Sequence, residues 1–343
     1  MDTQTLKYIG KDLYKTHILK EWKRYIVFMT RCHLHKGQIN DLMDKKFLKY
    51  IGHDLYNVKK LKERKRYIVF RIRCGLHKSQ IGALLVFFQT TPLRREMLKH
   101  TSSFVEQTTR AFFYKDSTWD ERIAIVKNHI EYMENIFNDE AIAKLYVNGE
   151  RIRLWEDVYE EQPVVMELWF HGGQRKEGCL SLVLSLGADE LYQIMFWLAP
   201  SPEDNELSLW IGALQGTPNG SEIIKGLTKA FFGYRTKNLI FYGIRNVAAG
   251  LGCKHLYAVS NAGYYAMNHV RRDRKLKTSL DDFWQECEGQ VCKDQRFFEM
   301  PIEEYRKSME ELKPSKRAQH RRRFAKMDEI TESVTEVLNN YKK

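Results

Sequence analysis

Between residues 164 and 213, apolar side chains recur at every second position in runs broken by short loops, and few folds accept that pattern. In Cys179–Leu186, Leu180, Leu182, Leu184 and Leu186 alternate with Cys179, Ser181, Val183 and Ser185. That is the period of a half-buried strand. Val164–Phe170 reads as a strand before it. Gly187-Ala-Asp189 makes a tight turn and Leu191–Leu198 returns. After a loop over 200–205, Leu207, Leu209, Ile211 and Ala213 alternate with Ser208, Trp210 and Gly212. Connections this short favour an antiparallel meander. A polar linker with a turn at Asn148-Gly149 precedes it.

The period changes after Gly216. Thr217-Pro-Asn-Gly220 is a loop, and Ser221 can cap a helix with Glu222 in its first turn. A second helix is expected over about 237–251, with Ile240, Ile244, Val247 and Leu251 on one stripe and Gly252 at its end. His255–Ser260 is a short strand. Near the C-terminus, Met327, Ile330, Val334, Val337 and Tyr341 recur at helical spacing and mark a packing stripe. The expected class is α+β, with a helical N-terminal region, a mostly antiparallel central sheet flanked by helices, and a C-terminal helix. The chain has 343 residues, 43% of them hydrophobic and 13% aromatic. That content supports a buried core and excludes a largely disordered chain.

Residues 1–100 carry 23 Lys and Arg against 8 Asp and Glu, whereas the remainder carries 33 against 36. The basic surplus therefore sits in the first hundred residues, which divides the chain into a basic helical region, 1–100, and an α+β region, 101–343. Such a surface attracts nucleic acid, anionic lipid or an acidic protein, although a solvated helical surface is the simpler reading. The region holds a tandem duplication at an offset of 42: residues 6–39 match 48–81 at 24 of 34 positions. Leu6, Ile9 and Leu13 share a helical face, as do Leu48, Ile51 and Leu55. Two units are too few for a solenoid, so a local duplication with one redundant copy is the expected history. It also duplicates a Cys-x-x-His pair, giving Cys32, His35, Cys74 and His77. Four such groups could build a zinc site, but the spacing is not that of common zinc modules; no metal is expected.

The longest uncharged apolar run, Ile81–Phe88, has eight residues, far below the roughly 20 that a membrane span needs. The opening Met1-Asp2-Thr3-Gln4 lacks a basic segment followed by an apolar core, so no secretory leader is expected. Six cysteines are too sparse for a disulfide framework. These features point to the cytoplasm, with a peripheral contact to the inner membrane left open. Cys287 and Cys292 read as ordinary thiols.

Meander, helix pair, strand and helices in that order resemble the N-acetyltransferase (GNAT) superfamily. There, a strand opens onto a helix N-terminus whose amides hold the pyrophosphate of coenzyme A. On that resemblance Gln215 and Gly216 end the strand, and Gly233, Arg235 and Lys237 open the second helix. A compact Gln/Arg-x-x-Gly-x-Gly loop is missing, and an extra helix over about 221–232 intrudes. A second resemblance rests on longer motifs: Leu209-Trp-Ile-Gly-Ala-Leu-Gln-Gly216, Leu227-Thr-Lys-Ala230, Gly233-Tyr-Arg-Thr-Lys-Asn238, Ala258-Val-Ser-Asn261, Asp281-Asp-Phe-Trp284, Phe297-Phe-Glu-Met-Pro301 and Lys313–Phe324. Over roughly 80–330 the chain resembles the bacterial VirK/YbjX family, also catalogued as a domain of unknown function. It departs at Thr236, where the family tends to have Pro, and at Tyr264, where it tends to have His; neither position is expected to be critical. The resemblance implies a role in virulence and in resistance to cationic antimicrobial peptides, with no reaction or cofactor attached.

Three groups of residues are candidates for chemistry. Lys229, Arg235 and Lys237 could hold a phosphorylated ligand near Gln215, Gly216 and Gly233, or form a solvated helix end. Glu177 reads as an exposed turn carboxylate; partial burial would make it a general base. Ser260 and Asn261 follow the last sheet strand, where residues often line a ligand crevice, but they also suit an ordinary turn. His255 and His269 flank this segment and are expected to be structural. Residues 313–326 hold seven basic residues and no acid. Lys313, Lys316, Arg317, Arg321, Arg322 and Arg323 thus form a basic helix face, able to meet RNA or lipid phosphates or simply solvated. Two functional classes remain. One is an acyltransferase using acyl-CoA or another acyl thioester and acting on an envelope component. The other is a non-enzymatic regulator or adaptor that binds RNA, anionic lipid or a protein through basic helices.

Overall fold

The computed structural model describes residues 48–170, 176–217, 221–268 and 278–343. Leu6, Ile9, Leu13, Cys32, His35 and His269 lie outside the described residues, as do the Thr217-to-Ser221 connection and its cap. The chain divides into two units, Met1–Thr109 and Arg110–Lys343.

The described part of the first unit is helical. Residues 48–55 form a helix, followed by α1 (Leu61–Leu76), α2 (Lys78–Gln89), α3 (Pro92–His100) and α4 (Ser103–Thr109). Leu48 and Ile51 are buried as expected. Helix α1 turns Phe70 and Cys74 inward, and Tyr56 packs on Phe70 with ring centroids 5.9 Å apart. The Tyr56 hydroxyl donates to buried Glu106 at 2.6 Å. Helix α3 starts at Thr91, whose side chain accepts from the Arg94 amide, with Pro92 in the first turn; that pairing suits a helix N-terminus.

The second unit is a mixed α and β body. It opens with α5 (Trp119–Ile136) and α6 (Asp139–Ala143), then strands β1 (Ile152–Tyr159), β2 (Gln162–Trp169), β3 (Leu180–Leu186), β4 (Asp189–Pro200) and β5 (Leu207–Gly216). Helices α7 (Ser221–Ala230) and α8 (Thr236–Gly250) follow, then β6 (His255–Val259), α9 (Leu280–Glu286), β7 (Gln290–Val291), β8 (Phe297–Met300) and α10 (Pro314–Tyr341). Helix α5 begins with a reciprocal capping box between Thr118 and Glu121. The sheet order is β1-β2-β3-β4-β5-β6-β8-β7. Every neighbouring pair is antiparallel except β5 and β6, which run parallel from Ser208↔His255 to Ile211↔Ala258. This is the expected class: a helical start, a mostly antiparallel sheet flanked by helices, and a C-terminal helix.

Two expectations are corrected. Strand β3 is not half-buried: all seven residues are buried, Ser181 and Ser185 included. Helices pack on the sheet at more than one place, so the small Ser side chains meet protein rather than water. On α10 the inward stripe is Met327, Ile330, Val334 and Leu338; Val337 and Tyr341 are only half-buried.

A candidate active site where two parallel strands part

Strands β5 and β6 stay paired only as far as Ile211 and Ala258. Strand β5 continues to Gly216, whereas β6 ends at Val259. Three backbone segments meet beside this parting: the Phe113 amide donates to the Lys176 carbonyl at 2.8 Å, and the Lys115 amide donates to the Gly263 carbonyl at 2.7 Å. Tyr114 and Tyr264 form an antiparallel bridge.

Glu177 lies at this junction and is 3% exposed. The exposed turn expected for it is therefore corrected, and the reason is two glycines. A Cβ on Gly178 would stand 2.5 Å from the Phe196 amide nitrogen, and one on Gly212 would run into the Glu177 carbonyl oxygen. Their bare backbones let the 176–178 segment lie directly on β4 and β5. Glu177 Oε1 accepts from the Tyr264 hydroxyl at 3.1 Å and from Gln215 Nε2 at 3.2 Å. Burial raises the Glu177 carboxyl to about 7, against the smaller opposing effects of the Lys176 charge and of hydrogen bonds from Tyr264, Gln215 and Tyr265. Burial and the Glu177 charge push the Tyr264 phenol well above its ordinary value, so it keeps its proton. The arrangement can take up and release a proton near neutrality at one carboxyl, held in place by the adjacent phenol.

A second cluster gathers at the far end of β5. The Tyr192 ring lies 2.8 Å from where a Gly216 Cβ would stand. Burial raises the Tyr192 phenol, opposed by the Thr236 hydroxyl and the Arg235 charge. The end of β5 and the start of α8 are thus neighbours. Arg235 is the N-cap of α8 and makes no side-chain cap. Thr236 is fully buried, and its hydroxyl faces the Tyr192 phenol. A helix start of this kind, with unpaired amides and adjoining cations, suits an anion. Two of the cations are partly engaged. Arg235 pairs with Glu286 and donates from Nε to Asn238 at 3.1 Å. Lys237 Nζ lies 3.8 Å over the Phe283 ring centroid, where burial lowers its pKa. Lys229 is exposed at the end of α7. Gly233 adopts φ +76 and sits against Gln319 and Arg323 of α10.

The other candidates serve the fold. Ser260 Oγ donates to the Gln295 carbonyl at 2.8 Å and accepts from the Gly263 amide at 3.0 Å. Asn261 accepts from the Leu280 amide at 2.7 Å and donates to Ser279 at 3.0 Å. Both hold the turn between β6 and α9. His255 bridges Asp204 and Glu299 at 2.9 Å each, and those carboxylates raise its pKa. On α10, Lys313, Lys316, Arg321 and Arg322 are exposed and Arg317 is half-buried. Arg323 departs from the expected outward face: its Nη2 donates to the Phe232 carbonyl at 2.9 Å, beside Gln319. Cys74 is buried, which pushes its thiol up to about 12. No cluster of metal-ligating side chains occurs among the described residues. None of the described helices is long and apolar enough to cross a membrane. Sequence reading set Tyr264 aside and passed over Tyr192; the signal for Tyr264 was its place directly after the Ser260-Asn261 turn.

Comparison with known proteins agrees with the motif resemblance. A family model described as "Protein of unknown function (DUF535)" matches residues 59–336. "Uncharacterized protein YbjX" of Escherichia coli (strain K12) is 31% identical over 129 residues, covering 36% of this chain and 38% of that protein. An "Uncharacterized protein" of Haemophilus influenzae is 26% identical over 132 residues, covering 38% of this chain and 44% of that protein. These alignments thus span less than half the length of either relative. No solved structure matches significantly. With most of its length under one family model, the chain is a member of the DUF535 family, to which its VirK/YbjX-like motifs had pointed.

Proposed function

We propose that the second unit is a transferase that moves an acyl group from an acyl thioester, such as acyl-CoA, to an amine or hydroxyl of a cell-envelope component or its precursor. The observation that carries this reading is Glu177. It is a buried carboxyl raised to about 7, hydrogen-bonded to a phenol, where β5 and β6 part. The α8 start, with Arg235 as its N-cap and Lys237 in its first turn, supports it as a seat for the thioester's phosphates. The thioester supplies an activated carbonyl. Glu177 takes the proton of the attacking amine or hydroxyl as the new bond to carbon forms. The carbon–sulfur bond then breaks, and protonated Glu177 gives that proton to the leaving thiolate, while the Tyr264 phenol stays hydrogen-bonded to the carboxylate that remains. The topological likeness to GNAT enzymes is consistent with this, but fold alone assigns no activity. Association with virulence and resistance to cationic peptides belongs to the same proposal, through a modified envelope.

The test is thiol release from acyl-CoAs in the presence of envelope-lipid extracts, followed between pH 5.5 and 8.5. Wild type is expected to rise through an apparent pKa near 7. Glu177→Gln is expected to lose about 100-fold or more while still binding the thioester. Equal turnover by Glu177→Gln would end the general-base assignment.

A second reading is a non-enzymatic adaptor. The exposed Lys313, Lys316, Arg321 and Arg322 on an acid-free stretch of α10 favour it. It requires association with RNA that weakens steeply with salt; salt-independent or absent association removes it.

A further inference from the structure

Helix α1 carries an apolar face that points away from its own core. Leu61, Ile68, Val69, Ile72 and Leu76 are 45–75% exposed. With Lys65 among them, they fall within about 100° of arc on a helix of 3.6 residues per turn. The opposite face, Phe70 and Cys74, is the buried one. The apolar stripe is bordered by the exposed Lys62 and Arg66 on one side and by the exposed Arg64 on the other, while Arg73 donates to the Thr109 carbonyl at 3.2 Å. The one acid of the helix, Glu63, lies outside the stripe and pairs with Arg66 at 2.5 Å. Scattered exposed apolar residues need no explanation, but five on one stripe between two basic borders do.

We infer that the exposed face of α1 docks flat on an anionic lipid bilayer. Its apolar side chains would enter the boundary between headgroups and acyl chains, and its Lys and Arg ammonium and guanidinium groups would reach lipid phosphates. Charge complementarity chooses this occupant. A phosphate polymer such as RNA has no use for the apolar centre, and an acidic protein groove would leave the two basic borders facing one partner across an apolar strip. At 16 residues, α1 spans about 24 Å, enough to lie along a surface, and its charges forbid a transbilayer orientation. The assignment concerns the helical unit alone and is independent of the transferase reading.

Flotation of the full chain with vesicles tests it. One set is 30% phosphatidylglycerol in phosphatidylcholine and the other is phosphatidylcholine alone. Wild type is expected to float with the anionic vesicles, and less so at 0.5 M salt. Ile68→Asp with Ile72→Asp is expected to weaken binding at least tenfold without changing the melting temperature in free solution, because both side chains are exposed. If that pair fails to fold, Leu76→Ser is expected to weaken binding about threefold, a loss scaled to the apolar area removed. Absent binding by wild type, equal binding to neutral vesicles, or unchanged binding by the variants would overturn the inference. So would a changed oligomeric state in the variants without lipid, because a second copy would then cover the stripe.

Discussion

At Glu177 a carboxyl stands where ionisation is costly. Its raised pKa has a thermodynamic consequence besides a chemical one. Because the folded state binds this proton more tightly than the unfolded chain, the contribution to stability is complete below pH 4.5. It is lost as pH rises to about 7. The loss is about 3 kcal/mol at 1.4 kcal/mol per unit. Glu177→Gln keeps an acceptor for Tyr264 and removes the titration. Urea melts at pH 5 and pH 8 are therefore expected to show the variant gaining about 2.5 kcal/mol on wild type as pH rises. A constant difference would contradict the burial argument. The comparison must be made between variant and wild type, because His129 works the other way. It is buried between the Leu198 amide and the Tyr146 hydroxyl, its pKa pushed down to about 3 by burial. Its stabilisation is lost as pH falls from 6.5. Glu177 could be singled out in the sequence as a candidate base, but its burial could not. That burial depends on Gly212, 35 positions away, and on a hydroxyl from Tyr264, and a Lys-Glu-Gly triplet reads locally as an exposed turn.

Among the elements, strands with strict alternation and short turns were legible, and β3 to β5 lie where the pattern places them. Strand β1 was not, because its burial follows no period of two and its pairing with β2 shifts between Arg153 and Trp155. Strands β7 and β8, of two and four residues, are too short to carry a period. The close approach between the 176–178 segment and β5 is the element-level device on which the site depends. Gly212→Ala is expected to cost about 1–3 kcal/mol, because a backbone carbonyl rather than a flexible side chain must give way. It is also expected to return Glu177 toward an ordinary carboxyl. Thermal melts and the pH dependence of stability check both parts. Thr118→Ala removes the capping box of α5 and is expected to cost about 1 kcal/mol with no effect on the Glu177 titration, which separates loss of stability from loss of the site.

For the whole molecule, order along the chain carried most of the information. Meander, two helices, a strand paired in parallel, and a closing hairpin determine where β5 and β6 part, and that parting lies beside both candidate clusters. What order could not supply is which polar groups are consumed by the fold: Ser260, Asn261 and His255 are committed to turns and ion pairs, whereas Glu177 and Tyr264 are not fully used by it. The most direct measurement of the central claim is a thermal shift of the full chain with coenzyme A and acyl-CoAs of several chain lengths. A thioester at 100 times its Kd is expected to add about 2.7 kcal/mol, a rise of a few degrees for a chain of this size. Arg235→Ala, lacking one cation at the α8 start, is expected to lose most of that rise. A flat response to every thioester would contradict the transferase account.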